Sequence, residues 1–346
     1  MSGKLQSAES FDIPYSSTEF PKDYKFNKQI QKGSQGCVNQ WTHVPSDTVI
    51  AVKVIRHIHP TPNEVVVLRK LPPHRSIVGY LDYYENQPNS REASLILEYC
   101  PFGDLHDFSQ QEGKSAFSEA FMLSVYSQLM SALALLHEGI DAQNPQGRDR
   151  WRPIVHQDIK MENVLVKSVG LKPDWSDLEL KLGDFGMVEY YNPHQPNPLG
   201  YVGTTSSWSP EITWSTKRFT PASDVWAAAS IIHELAHDFG PIVSSNIIRK
   251  KWYLENKDSP FPSTWPKSLK LSYWVAIAPR RVIPINLDPE EPIPILSDYN
   301  IGYDERALRY RKQKPSPKYS DALNDCLMAG LKISPDERSG SGKLLR

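Results

Sequence analysis

The chain has 346 residues, long for one compact unit and suited to two lobes that share a cleft. Its formal net charge of −1 argues against a general affinity for nucleic acid or for an anionic membrane surface. Hydrophobic content of 39% can fill ordinary cores, while three scattered cysteines (Cys37, Cys100 and Cys326) make neither a disulfide framework nor a zinc pattern and fit a reducing, intracellular compartment.

Residues 1–20 are polar and Ser-rich, with no apolar core of signal-peptide length, and read as a flexible arm. Strand character then dominates to about residue 98. "CVNQWTHV" and "TVIAVKVI" flank a "PSD" turn as a hairpin would, and "SIVGYLDYYE" and "ASLILEYC" return to strand. Between them "TPNEVVVLRKL" predicts a short helix. Thr61, Pro62 and Glu64 fit a capping box with proline at the first helical position. After "PFGD" the pattern becomes helical. "SEAFMLSVYSQLMSALALLHEG" predicts a helix with Ser118 as N-cap and a terminal glycine, and "SDVWAAASIIHELAHDFG" and "YSDALNDCLMAGL" behave alike. The longest apolar stretch, "VWAAASII", is too short to span a bilayer. The expected architecture is α+β. A β-rich lobe with one short helix occupies about 21–98, a connection 98–104, and a mainly helical lobe 105–346. Two stretches interrupt the larger lobe. Residues 141–153 are polar and turn-rich, whereas the prolines of 241–317 forbid long helices and the interleaved Ile, Trp and Tyr predict a packed, irregular excursion.

The residues able to do chemistry come in an order. In "IQKGSQGCV", Gly33 and Gly36 sit in a strand–turn–strand, where missing side chains let amides approach phosphate, although a glycine turn is also ordinary in a hairpin. "AVKVI" places Lys53 in an apolar strand, which is costly unless a carboxylate compensates it or the side chain reaches water from an edge. Glu64 is the favoured counter-ion given the rest of the pattern, although it also fits a capping box. "HQDIKMEN" is more specific. Asp158 can orient a hydroxyl and accept its proton, Lys160 can neutralise a transferred phosphoryl group, and Asn163 offers a metal an oxygen. In "LGDFGM", Asp184 is a hard oxygen ligand between apolar neighbours, suited to magnesium.

Taken together, these motifs resemble the eukaryotic protein kinases of the serine/threonine type, from about Phe26 to the C-terminal end. The resemblance implies a two-lobed kinase fold and ATP-dependent phosphorylation of proteins, with magnesium, or manganese in its place. It implies that Lys53 holds the α- and β-phosphates, that Glu64 fixes Lys53, and that Asp158 is the catalytic base. Asn163 and Asp184 become the metal ligands, with Phe185 packed behind them. Ile30, Gly33, Gly36, Val38, Ala51 and Leu165 fall in the nucleotide site. Leu97, Glu98, Tyr99 and Cys100 fall where a hinge bonds adenine through its backbone, and Asp104 where a carboxylate meets the ribose. "GTTSSWSPE" resembles the end of an activation segment, with Ser209 in place of the usual alanine. Thr204 would contact Asp158 and Lys160, Glu211 would pair with Arg338, and Asp224 would brace the catalytic loop.

The chain departs from the pattern at four points. Gln31 replaces the first loop glycine, only eleven positions separate Lys53 from Glu64, Gln157 replaces the arginine before the catalytic aspartate, and the family's last helix is cut short after Arg338, as in a fragment. None removes a residue expected to touch ATP, metal or hydroxyl. The alternatives are a pseudokinase that binds nucleotide or serves as a scaffold, and a kinase of small molecules, against which "GTTSSWSPE" stands. Protein substrates are the expected partners, without specific nucleic acid, and the 241–317 stretch is where a regulatory partner would bind.

Overall fold

The computed structural model describes residues 22–33, 36–56, 60–112, 117–170, 175–194, 203–256, 258–288 and 317–346. The arm at 1–20, the loop tip at 34–35 and residues 289–316 of the proline-rich stretch lie outside the described residues. Strands β1 (Tyr24–Gly33), β2 (Gly36–His43), β3 (Thr48–Arg56), β4 (Tyr80–Tyr84) and β5 (Glu92–Glu98) form one antiparallel sheet in the order β1-β2-β3-β5-β4. Period-two alternation explains how β3 serves two environments. Ile50, Val52 and Val54 join Trp41 and Ile96 in a cluster on one face. Ala51, Lys53 and Ile55 point to the other face, which is covered by the helix α1 (Asn63–Lys70) and the second lobe.

Two expectations for this lobe need correction. The N-cap of α1 is Pro62, and no side chain caps the helix, so the capping box on Thr61 and Glu64 does not form. Ser76–Val78 are not part of the sheet, because their backbone is engaged elsewhere. Val78 N donates to Leu182 O (3.0 Å) and Leu182 N to Ser76 O (2.9 Å). That exchange ties the small lobe to the large one.

In the larger lobe, α2 (Leu105–Gln111) is followed by α3 (Glu119–Glu138), whose ends form as their chemistry demands. Ser118 Oγ accepts from Phe121 N, and Gly139 closes the helix in the left-handed region at φ 68°. By length and composition α3 could cross a membrane, which the single longest apolar stretch did not reveal, yet 67% of its most apolar window is buried in this core. Beneath it runs α4 (Pro221–His237), opened by a capping box between Thr220 and Ser223. Asp238 in the left-handed region ends α4, not the glycine two positions on. Two short ladders complete the lobe's cleft side, β6 (Ile154–Val155) with β9 (Glu189–Tyr190), and β7 (Val164–Ser168) with β8 (Glu179–Leu182).

The 141–153 excursion is anchored, since the Asp141 carboxylate takes Gln143 N, Asn144 N and Arg148, and Trp151 Nε1 donates to Leu136 O. The proline-rich stretch is more regular than expected. Its proline-free runs form α5 (Ser245–Glu255) and α6 (Lys267–Ala276), and Phe261 stacks on Trp265 at 5.6 Å between them. The chain then forms α7 (Asp321–Gly330) and α8 (Ser341–Leu345), the latter docked on α3 through Gly342 N to Glu138 Oε1 at 2.9 Å.

Arg338, between α7 and α8, is 6% exposed and binds Glu211 through two hydrogen bonds of 2.8 and 3.0 Å. It also bonds the carbonyls of Ala222 and Lys332 and lies over the Trp226 ring. Removing it leaves the Glu211 carboxylate and those carbonyls without their donor. Arg338→Ala is expected to lower unfolding free energy by about 3–5 kcal/mol with an unchanged urea m-value. Equilibrium urea unfolding checks it, and a loss below about 1 kcal/mol refutes it.

Candidate active site

Between the lobes lies a cleft of about 560 Å³. Its roof comes from β1–β3, its back from the connection after β5, and its floor from the 155–165 loop and the turn after β8. Ile30, Val38, Ala51 and Leu165 supply apolar lining, Gly36 the loop side and Asp104 the outer rim. Gly33 pairs opposite Gly36 at the mouth of the β1–β2 hairpin. Gly36 has a packing reason of its own. At φ 140°, a Cβ there would lie 2.0 Å from Val54 O, so the close approach of β2 to β3 alone demands glycine.

At the roof, Lys53 Nζ donates to both carboxylate oxygens of Glu64 (2.7 and 2.9 Å) and to Asp184 Oδ1 (2.7 Å). Glu64 is thus an ion-pair partner and not a cap. Burial alone would depress the Lys53 ammonium, but Glu64 and then Asp184 outweigh it and hold the pKa above the usual lysine range. Burial would likewise raise the Asp184 carboxyl, and Lys53 pulls it below the usual carboxylate value. Asp184 occupies the left-handed region at φ 52°, and its Oδ1 also accepts from Gly186 N. Phe185, fully buried behind it, meets the His156 ring at 5.0 Å.

The floor is a closed set of bonds around Asp158. Thr204 Oγ1 donates to Asp158 Oδ1 (2.7 Å), Lys160 Nζ lies 2.9 Å from Oδ2, and Lys160 also donates to Thr204 Oγ1 (3.0 Å). Asn163 Nδ2 donates to the Asp158 carbonyl at 2.7 Å and to Oδ2 at 3.1 Å. With its nitrogen so committed, Asn163 has its amide oxygen left as an acceptor. Burial would lower the Lys160 pKa, but Asp158 holds it above the ordinary lysine value, so it stays charged. Below the loop, Asp224 accepts from His156 N (2.7 Å) and Gln157 N (3.1 Å). Gln157 sits at φ 69°, and Gly203 packs on its carbonyl so closely that a Cβ would lie 2.5 Å away.

The connection behaves differently from a simple linker. Glu98 turns its side chain away from the cleft, accepting from Gly79 N (2.7 Å) and pairing with Lys181 (3.2 Å). Tyr99 O accepts from Lys167 Nζ at 2.8 Å. Burial pushes the Cys100 thiol up to about 12, so it is inert as a nucleophile. Asp104 caps α2 by accepting from Asp107 N (2.8 Å), which commits one carboxylate oxygen.

Sequence reasoning missed Lys167 and Lys181, which look like ordinary strand lysines, and His156. The buried His156 ring donates from Nε2 to Gly183 O (3.0 Å) and so couples the 155–165 loop to the Asp184 turn. Its one signal was a histidine two residues before the aspartate in an apolar strand.

A family model described as "Protein kinase domain" matches residues 24–345. Among curated proteins, the chain is 27% identical over 271 residues to the G2-specific protein kinase nim-1 of Neurospora crassa, covering 71% of this chain and 30% of that protein. It is 31% identical over 236 residues to the G2-specific protein kinase fin1 of Schizosaccharomyces pombe, covering 62% and 31%. To the serine/threonine-protein kinase Nek1 of Toxoplasma gondii it is 30% identical over 246 residues, covering 67% and 15%. The match thus spans less than a third of each relative's own length.

The Lys53–Glu64 contact makes a prediction that needs no assay of activity. A double-mutant cycle of Lys53→Met and Glu64→Gln, read by urea unfolding, should give a coupling energy of about 1–3 kcal/mol. A glutamate that only favoured the helix start would give none.

Proposed function

Because this chain belongs to the protein kinase domain family, we propose that it transfers the γ-phosphoryl group of ATP to serine and threonine hydroxyls of protein substrates. The observation that carries the reading is the closed Asp158–Lys160–Thr204 set facing the Lys53–Glu64–Asp184 set across one cleft. A scaffold that had lost its chemistry would have no need to keep both.

The steps follow from these residues. The adenine ring lies between Val38, Ala51 and Leu165, and its edge meets the backbone at Glu98 and Cys100. Lys53, fixed by Glu64, meets the α- and β-phosphates. Asp158 orients the acceptor hydroxyl and takes its proton as the oxygen attacks the γ-phosphorus. The bond to the β-phosphate oxygen breaks, and ADP leaves. Lys160 neutralises the oxygens of the phosphoryl group in transit, while Thr204 holds Asp158 and Lys160 in register. Asp184 and the amide oxygen of Asn163 are hard oxygen donors on the same cleft and fit magnesium, which would screen the phosphate charge. Manganese has the same preference for oxygen.

A polypeptide substrate suits the surface that begins at Met161 of the catalytic loop and Ser206 of the segment. A second cavity of about 620 Å³ extends from Met161 and Ser206 to Glu234 and Asp238, an open trough beyond what a small hydroxyl compound needs. Protein substrates and ATP are therefore the proposed partners, with the 241–317 stretch the proposed place for a regulatory one.

Gln157 sets the proposed mode of control. An arginine there would be a buried cation that a phosphate on the segment could match. Gln157 offers no charge, and the segment end is already held by Gly203 on the Gln157 carbonyl, Thr204 on Asp158 and Glu211 on Arg338.

Two outcomes are expected. Asp158→Asn should abolish transfer and leave ATP affinity nearly intact, because that carboxylate serves the hydroxyl and not the nucleotide. Wild-type turnover in that variant would sink the assignment. Phosphatase-treated enzyme, verified by mass spectrometry as unmodified over 187–211, should keep its turnover. A loss beyond about tenfold that rephosphorylation of the segment restores would overturn the reading of Gln157.

A further inference from the structure

Thr204 reaches Asp158 only if the turn that follows it is fixed, and position 157 brings no cation to that task. A different arginine does. Arg280 lies just after α6, in the proline-rich stretch, and is 6% exposed. Its Nε donates to Trp208 O (2.6 Å) and its Nη2 to Thr205 O (3.2 Å), the two carbonyls that bracket the turn after Thr204. Its Nη1 donates to Ala278 O (2.7 Å) and Val275 O (3.4 Å), at the C-terminal end of α6, where a cation also suits the helix dipole.

The backbone beneath Arg280 is itself anchored. Ile242 and Arg280 form an antiparallel bridge, Val243 N donates to Pro279 O (3.0 Å), and Arg281 N to Pro241 O (2.8 Å). Ile283 N donates to His233 Nε2 on α4 (3.1 Å). The same helix carries Asp224, which holds the amides of His156 and Gln157. One rigid element therefore grips the catalytic loop directly and the segment through Arg280.

The chemistry of the site argues against a passive core residue. Among the described residues, the four hydrogen bonds of the guanidinium all go to backbone carbonyls, and none to a carboxylate. Glu211 lies close enough to favour its charge without a hydrogen bond, yet burial outweighs that attraction. Burying a cation so weakly compensated is costly, and an apolar side chain of similar volume is often as stable. What an apolar side chain cannot do is satisfy the Thr205 and Trp208 carbonyls from a fixed point. With four of its five N–H donors on carbonyls, Arg280 is also a poor receptor for a phosphate.

We propose that Arg280 is a positioning residue for phosphoryl transfer: it fixes the Thr205–Trp208 turn from the proline-rich stretch and so holds Thr204, Asp158 and Lys160 in register without a phosphate on the segment. This rests on the kinase reading above.

The test uses the whole chain, phosphatase-treated, with R280M (similar length, no charge) and R280K (charge without the planar fork). Hydrogen exchange of residues 203–212 and of α4, and kcat and KM for ATP on a generic basic protein, are read on each. In R280M, exchange over 203–212 should accelerate about tenfold or more with α4 unchanged, and kcat should fall about tenfold or more with KM for ATP within about twofold. R280K should fall between R280M and wild type in both. Wild-type exchange and kcat in R280M overturn the proposal. So does loosening of α4 to the same degree as the segment, which marks a merely structural arginine. If R280M does not fold, R280K decides by the same contrast between 203–212 and α4. If the wild-type chain transfers no phosphoryl group, the kinase reading fails, and exchange over 203–212 still decides whether Arg280 orders the turn.

Discussion

One buried ammonium joins three distant parts of this chain. Lys53 stands on β3, Glu64 on α1 and Asp184 on the turn after β8, and the three meet within hydrogen-bonding distance. Taking a lysine out of water costs several kcal/mol, so the site is tenable only while carboxylates flank it. The sheet, the short helix and the large lobe are thereby obliged to sit in one mutual arrangement. The cleft is the space that arrangement leaves.

A second anchor works on the floor. Asp224 is nearly fully buried at the start of α4, and its carboxylate is consumed by the amides of His156 and Gln157 and by His137 Nε2 (3.1 Å). This fixes a loop that would otherwise leave polar backbone unpaired in the core. His156 carries the constraint onward, with its ring nitrogen on Gly183 O and its ring in a T-shaped contact with Phe185. Roof and floor are thus coupled through the 183–185 turn. Small displacements there would move Asp184 and, through it, Lys53.

The proline-rich stretch then ceases to be an ornament. Its prolines break the chain into short helices, and its Phe261, Trp265 and Tyr273 pack on one another and, for Trp265 and Tyr273, on Trp214 of the earlier segment. Arg280 follows, on backbone anchored by its bridge to Ile242 and by the bond of Ile283 N to His233. An order imposed by a guanidinium on carbonyls is permanent, whereas one imposed by a phosphate is reversible. On the proposal for Arg280, the chain takes the permanent route at this position.

Much of the local structure was legible in the sequence. The hairpin around "PSD", the Ser118 cap, the glycine after α3 and the helices of the large lobe follow from periodicity and end chemistry, which act over a few residues. The order of Lys53, Asp158, Asn163 and Asp184 carried the candidate site by itself. What the sequence left open were the partners of charged and polar groups. Glu64 fitted a cap as well as the favoured counter-ion, because both readings satisfy the same local spacing. Only the fold brings Lys53 to it, and to Asp184, which is 131 positions away. Gly36 read as a phosphate contact, and the approach of Val54 O adds a second demand no pattern could carry. Arg280 and Thr205 are 75 positions apart, within a stretch whose composition signalled only breaks. Short-range sterics and hydrogen bonding determined the elements. The pairing of buried charges was decided by tertiary structure, because its energy depends on burial and on contacts far apart in the chain.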